Sequence, residues 1–242
     1  YTFNGATLYG GDFLGLSERA RYYPRMRESV VLPKRAEGQQ LMETLGGFIG
    51  DVSVRRFILE DPVLTLGFRE YTGREPMKQI SWPATARTGR MMVKQYDHTL
   101  ELTVTVVLNI HSLLYSSAAH PLMEVCYSIA RAVCETLEER RIAYAFLTNA
   151  RAVNMTGAWE YVGDGLGGAH LSTILEGLGR ATYAAHGSAH LLIDSVLRRT
   201  QSGRAHIIIT PTARDISAQD IARLEDRAAA KALVIAAEEV VD

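Results

Sequence analysis

Between residues 100 and 147 the sequence spells strand, helix and strand in close succession, and this limits the fold more than any other stretch. Leu100, Leu102, Val104, Val106 and Leu108 alternate onto one face, with Thr103, Thr105 and Val107 on the other. Over residues 121–140, Leu122, Val125, Ile129, Val133 and Leu137 form a helical stripe, and Pro121 suits a first turn. Ile142-Ala-Tyr-Ala-Phe-Leu147 then reads as a second strand. Helical segments follow at about 170–184 and 188–200, separated from the second strand by a loop of about 20 residues, a length usual for functional loops. His206–Thr210 is a short buried strand stopped by Pro211, Ser217 caps a helix running to about 230, and Ala232–Ala236 is a last strand. Alternating strands and helices require right-handed crossovers. The sequence therefore predicts an α/β fold over roughly 93–242, a Rossmann-like, mainly parallel sheet flanked by helices.

The front of the chain has a different texture. Residues 1–33 carry short β-like pieces broken by glycines, ending in Val30-Val-Leu-Pro33 as a buried strand and its stop. Residues 34–50 show no sustained period, and Val52–Leu59 reads as extended. The expected division is a β-rich segment over 1–70, the end of a truncated β domain, followed by 71–242. The chain opens at Tyr1 inside a β region, as a piece of something longer would. The formal net charge of -1 gives no global attraction to nucleic acid or to an anionic membrane. Cys126 and Cys134, eight residues apart on a helix, are about 12 Å apart and read as small core residues in a reducing compartment. No apolar run approaches the roughly 20 residues that span a bilayer.

Ligands of such sheets bind beyond the carboxyl ends of the strands. Those ends are expected at Asn109–Leu113, Thr148–Asn149 and Thr210–Pro211, joined by the loop Gly163–His170. The dinucleotide fingerprint fails, because Asn-Ile-His-Ser-Leu follows the first strand. Neither a Gly-Lys-Ser/Thr phosphate loop nor a Gly-x-Ser-x-Gly nucleophile turn occurs. The glycine cluster Gly163–Gly168 suits either an anion at a helix start or a flexible turn. His186 and His190 have the spacing of paired metal ligands, but Gly187 and Ser188 interrupt the helix, and no acidic residue is spaced to complete a site. No catalytic residue, cofactor or metal is assigned.

One segment carries a family resemblance. Tyr71, Glu75-Pro76, Lys78, Ile80, Trp82 and Ala86-Arg87, followed by Val93, resemble the signature of the bacterial domain-of-unknown-function family fifty-eight. Arg74-Glu75 stands where that signature has Gly-Asp, and Lys78 where it has arginine. Asp12-Phe-Leu-Gly-Leu16 is similar to the family's Asp-Pro-Phe-Gly-Leu turn. The resemblance spans nearly the whole chain and implies a von Willebrand factor A-like domain. A working metal-ion-dependent adhesion site in that fold needs Asp-x-Ser-x-Ser, a threonine after Gly-Gly, and a later aspartate. Here Asn109, His111 and Leu113 fill the first loop, Ala169 follows Gly167-Gly168, and Pro211 follows Thr210. The resemblance therefore implies a degenerate adhesion site without metal.

It further implies a non-enzymatic protein-interaction module of a membrane-anchored protein on the cytoplasmic side of the bacterial membrane. The anchor would lie outside this soluble stretch. The implied partner is a MoxR-type AAA+ ATPase, in envelope-protein assembly. The expected interaction surface is Asn109, His111, Ser112, His170 and Thr210. Within the signature set of Tyr71, Glu75, Lys78, Trp82 and Arg87, the candidate contacts are Tyr71, Trp82 and Arg87; the structural alternative has Trp82 anchor the segment to its own domain and Arg87 pair with Glu75 or another local acid. The competing readings are a small-molecule or anion-binding domain or enzyme using Gly163–Gly168 and the histidines, and a purely structural scaffold.

Overall fold

The computed structural model describes residues 1–58, 65–73, 77, 80–96, 103–155 and 159–240, in two compact units: 1–38 with 104–242, and 39–103. The division expected at residue 70 is therefore replaced by an inserted unit.

Strands β1 (Thr2–Gly11) and β2 (Glu18–Glu28) form an antiparallel hairpin with every residue exposed. The glycines of this stretch sit within or between two long strands and do not break it into short ones. Residues 29–38 have no regular structure, and Val31 and Leu32 are exposed, so the buried strand expected at Val30–Pro33 does not form. Its polar backbone is satisfied elsewhere in the unit: the Pro33 carbonyl accepts from Arg131, and the Ala36 N–H donates to the Ser128 carbonyl.

In the inserted unit, α1 (Gln39–Ile58) occupies residues expected to be irregular or extended. Leu41, Leu45 and Ile49, four apart, are buried among the side chains described over 39–52, and that spacing selects a helix. Antiparallel strands β3 (Thr65–Glu70) and β4 (Met92–Tyr96) flank α2 (Trp82–Thr88), and Gly89 closes that helix at φ 71°. Beyond these, Leu59, Arg74–Pro76, Lys78 and Leu100–Leu102 lie outside the described residues.

The second part of the first unit is built on a five-stranded, mostly parallel sheet. Its elements are β5 (Thr103–Leu108), α3 (Ser116–Glu139), β6 (Ala143–Thr148), β7 (Ala150–Ala152), β8 (Tyr161–Gly165), α4 (Gly168–Arg180), β9 (Ala181–Ala185), α5 (Ala189–Leu197), β10 (Ala205–Thr210), α6 (Ala218–Ala228) and β11 (Ala232–Ala236). The strand order is β11-β10-β5-β6-β8, an arrangement compatible with a Rossmann-like fold. Strand β10 pairs parallel to β5 and β11, whereas β8 runs antiparallel to β6. Val107, Leu147 and Ile208 face α5 and α6 through Leu192, Ile193, Val196 and Leu224. Alternation turns Val106, Phe146, Ile207 and Ile209 to the opposite face, and α3 packs against β6 and β10 there.

Helix α3 begins at Ser116, five residues before the expected start, so Pro121 lies inside it. Its missing N–H removes only the bond that the Ser117 carbonyl would have accepted. The buried face is also wider than the predicted stripe, taking in Met123, Cys126, Tyr127, Ala130 and Cys134. Both cysteines are free and fully buried, and burial pushes both thiols up. A disulfide reagent will therefore titrate no thiol in the native chain at neutral pH and two in denaturant. A rapid native reaction would show that α3 opens.

The expected 20-residue loop after β6 holds two strands, β7 and β8, and residues 181–185 leave the predicted helix to form β9 against β7. Edge strand β8 is fastened across the sheet by Arg204. This nearly buried guanidinium donates from Nε to Thr105 Oγ1 on β5 at 2.5 Å and pairs through both terminal nitrogens with the Asp164 carboxylate on β8.

Candidate functional site

The strand order reverses at β5, between β6 on one side and β10 on the other, so the carboxyl ends of these strands are where a ligand of such a sheet would sit. Asn109 follows β5 and is fully buried. Its Nδ2 donates to the His111 carbonyl at 2.8 Å and to Thr210 Oγ1 at 3.1 Å. Its Oδ1 accepts from the His111 N–H at 3.1 Å and from Asn149 Nδ2 at 2.8 Å. Both donors and both acceptor sites of the amide are thus engaged. Asn149, after β6, repeats the pattern: its Oδ1 accepts the Ile110 N–H at 2.9 Å and its Nδ2 also donates to the Gly187 carbonyl. Two neutral amides therefore knit the ends of β5, β6 and β10 to the turn before α5.

Beside them stands Asp215, a buried carboxylate in a 3₁₀ turn at Ala213–Asp215. Oδ1 accepts the Leu113 N–H at 2.8 Å and the Ser112 hydroxyl at 3.2 Å, while Oδ2 accepts the Thr212 N–H at 2.9 Å in a capping box. The charge is satisfied by backbone donors and braces the loop after β5. Directly beyond that brace, Leu113, Leu114 and Tyr115 are 76%, 44% and 90% exposed. Three consecutive apolar side chains are thus displayed on a loop whose conformation is fixed from beneath.

Of the five residues expected to share a surface, Asn109, His111, Ser112 and Thr210 come together, the first and last fully buried. His170 does not join them. Because β8 reverses, Gly165 pairs with Tyr144 near the amino end of β6, and α4 starts from there. The His170 ring stands edge-on to Tyr144 at 4.7 Å and packs so close to Gly165 that a Cβ there would clash. Some four residues of strand, about 13 Å, separate it from the carboxyl end.

The same reversal corrects the anion reading of the glycine cluster. Gly163 and Gly165 lie in β8, and the Gly167 N–H, at a φ of 107° that favours glycine, already donates to the Glu138 carboxylate at 2.8 Å. The histidine pair is likewise divided between partners. His186 faces Glu160 at 2.9 Å, and His190 Nδ1 meets Asp220 at 2.9 Å with Asp194 at 3.6 Å from its other nitrogen. Burial works against the charge of Asp220, but hydrogen bonds from His190 and Ser217 outweigh it and hold the carboxyl below its usual range. Among the described residues, no three or more His, Cys, Asp or Glu side chains are grouped as a metal ion would need.

In the signature segment, Trp82 opens α2 with 61% exposure, so it does not anchor the segment as expected; buried Ile80, bridged to Val93, does. Tyr71 is tied through its N–H to the Met91 carbonyl, and Arg87 is exposed in the last turn of α2. Glu75 and Lys78, and with them the expected Arg87–Glu75 pair, lie outside the described residues.

Two residues of the site escaped the sequence reading in their roles, Asn149 and Asp215. The signal for Asp215 was present as Thr212-Ala-Arg-Asp215, a capping-box spacing directly after a strand. No family model, curated protein or solved structure matches the chain. No helix among the described residues is long and apolar enough to cross a membrane.

Proposed function

We propose that this chain is a non-enzymatic protein-interaction module with a von Willebrand A-like α/β domain, and that the loop after β5 is its docking element. Exposure of Leu113, Leu114 and Tyr115 on a loop braced by Asp215 carries the reading. Rigid aromatic and aliphatic side chains lose little entropy on docking and bury large area. The polar groups beneath, on Asn109, Asn149 and Asp215, are engaged with one another and with backbone, which suits a support better than a reaction centre. In the resembling family this face holds a metal; here neutral amides fill the space. The partner is a MoxR-type AAA+ ATPase, in envelope-protein assembly, with the module held at the cytoplasmic side of the membrane by a segment outside this chain.

The test is co-purification of the chain with a MoxR-type ATPase encoded beside it, in the nucleotide-free, ADP and ATP states. Binding is expected in at least one state, and the double variant Leu113→Ser, Tyr115→Ala is expected to lose most of it while melting as the parent does. An ATPase ignored in every state, or bound equally by the double variant, overturns the assignment. A saturable rise in melting temperature with Mg²⁺ or Mn²⁺ would overturn the metal-free reading.

A further inference from the structure

Strand β9 carries a half-exposed tyrosine that is held rigidly against α3. The Thr182 carbonyl of β9 accepts the hydroxyl of buried Tyr127 on α3 at 2.7 Å, which pins the strand to the helix. The next residue, Tyr183, stacks on His120 of α3 with ring centroids 4.3 Å apart and planes 17° from parallel. Its hydroxyl donates to Glu124 Oε1 at 2.6 Å, one helical turn beyond His120. That hydrogen bond pushes the phenol up, so the ring stays neutral and keeps its negative face. Three supports fix a side chain that is still 44% exposed. A ring locked by packing loses little rotamer freedom when a ligand covers it.

The charge beside this ring is one-sided. Glu124 is exposed, and among the described residues its carboxylate forms no ion pair. No Asp, Glu, Lys or Arg occurs between Glu101 and Glu124, so it is the first charge met along α3 from the docking loop. His120 stands five residues past Tyr115, about 7.5 Å of helical rise, and Leu113–Ala118 are exposed throughout. Strand β9 leads to the same end of the sheet, where the His186 N–H donates to the Asn149 carbonyl at 2.7 Å.

A neutral aromatic face next to an unpaired carboxylate selects a planar cation. A guanidinium stacks on the ring and donates to the carboxylate, whereas an ammonium is more strongly hydrated and gives up more water. An apolar side chain would cover the ring but leave the carboxylate desolvated and unpaired.

We propose that Tyr183 and Glu124 form a receptor for an arginine side chain, supplied by the partner that docks on Leu113–Tyr115. The source of the arginine rests on the docking reading above; the receptor rests on its own geometry. The partner's matching surface is then an apolar pocket with an arginine at its rim.

The probe is a blocked triarginine peptide, titrated into the whole chain while the Tyr183 ring is followed by nuclear magnetic resonance. A saturable shift is expected, weakened by salt. Glu124→Gln keeps an oxygen to accept the phenol and removes the charge, and is expected to weaken the peptide about threefold or more. Tricitrulline, of the same shape without charge, is expected to leave Tyr183 unmoved. No shift with triarginine, or an equal shift with tricitrulline, overturns the proposal. With the MoxR-type ATPase, Glu124→Gln and Tyr183→Leu are each expected to weaken binding roughly three- to tenfold. If the Leu113→Ser, Tyr115→Ala variant loses the ATPase while these two bind it as the parent does, the docking loop stands and the arginine contact falls. An ATPase ignored by the parent, with Tyr183 still shifted by triarginine, removes the ATPase as partner and supports the receptor.

Discussion

Asp215→Ala is expected to lower stability by about 3 kcal/mol, because it strips a charged acceptor from two backbone N–H groups at once. The Leu113 N–H and the Thr212 N–H both point at this carboxylate, and the capping box that shapes the turn after β10 goes with it. Urea unfolding gives the stability change, and amide exchange locates it: Leu113 and Thr212 should lose protection while the strand amides of β6 keep theirs. Asp215→Asn keeps one acceptor oxygen but presents an NH₂ group to the second donor, so it should recover only part of the loss. A variant as stable as the parent, with Leu113 still protected, would show that the loop holds its shape without the carboxylate.

His206 should govern the acid limb of stability. The ring is fully buried on β10, with Nε2 at 3.0 Å from Thr200 Oγ1 and Nδ1 without a partner. The Thr200 hydroxyl donates to the Val196 carbonyl, so the ring must be the donor in their contact. Burial, reinforced by the nearby Arg204 charge, pushes the imidazole down to about 4 from an ordinary 6.5. Between those values the unfolded chain binds a proton that the folded chain refuses, so stability falls as pH falls. It is complete above about 6.5 and has lost about 3 kcal/mol near pH 4, where the loss levels off. His206→Leu, of similar volume, removes that titration. Its stability should fall less steeply than the parent's between about pH 6.5 and 4.5; equal slopes would assign the acid limb to other groups.

The strongly patterned elements could be read from sequence because one physical signal dominated each. Alternation fixed β5 and β6, a heptad-like stripe fixed most of α3, Ser217 capped α6 through the Asp220 N–H, and β11 fell where its apolar run lay. Helix α1 is hard to read from sequence because Gly46, Gly47 and Gly50 fall between and beside Leu41, Leu45 and Ile49 and suppress the helical period. The larger error came from direction. Nothing in Tyr161–Gly165 states that the strand runs backwards, and that single reversal carries the glycine cluster and His170 to the far end of the sheet. The neutral residues at the end of β5 were correctly placed together with Thr210. The carboxylate beneath them lies four residues past the strand-stopping Pro211, in a 3₁₀ turn whose sequence signal is the capping-box spacing of Thr212 and Asp215.

The Arg204 fastening sets an order of events in folding. Asp164 and Thr105, which it joins, precede it by 40 and 99 residues, so the charge that secures the reversed edge arrives after β5, β6 and β8 and ahead of β10 and β11. Loop closure over such separations is slow relative to local pairing. A chain halted short of Arg204 would carry β8 as a loose, glycine-bearing ribbon beside a half-exposed aspartate. The residue directly before β10 is thus the one that fastens the reversed edge strand to the centre of the sheet.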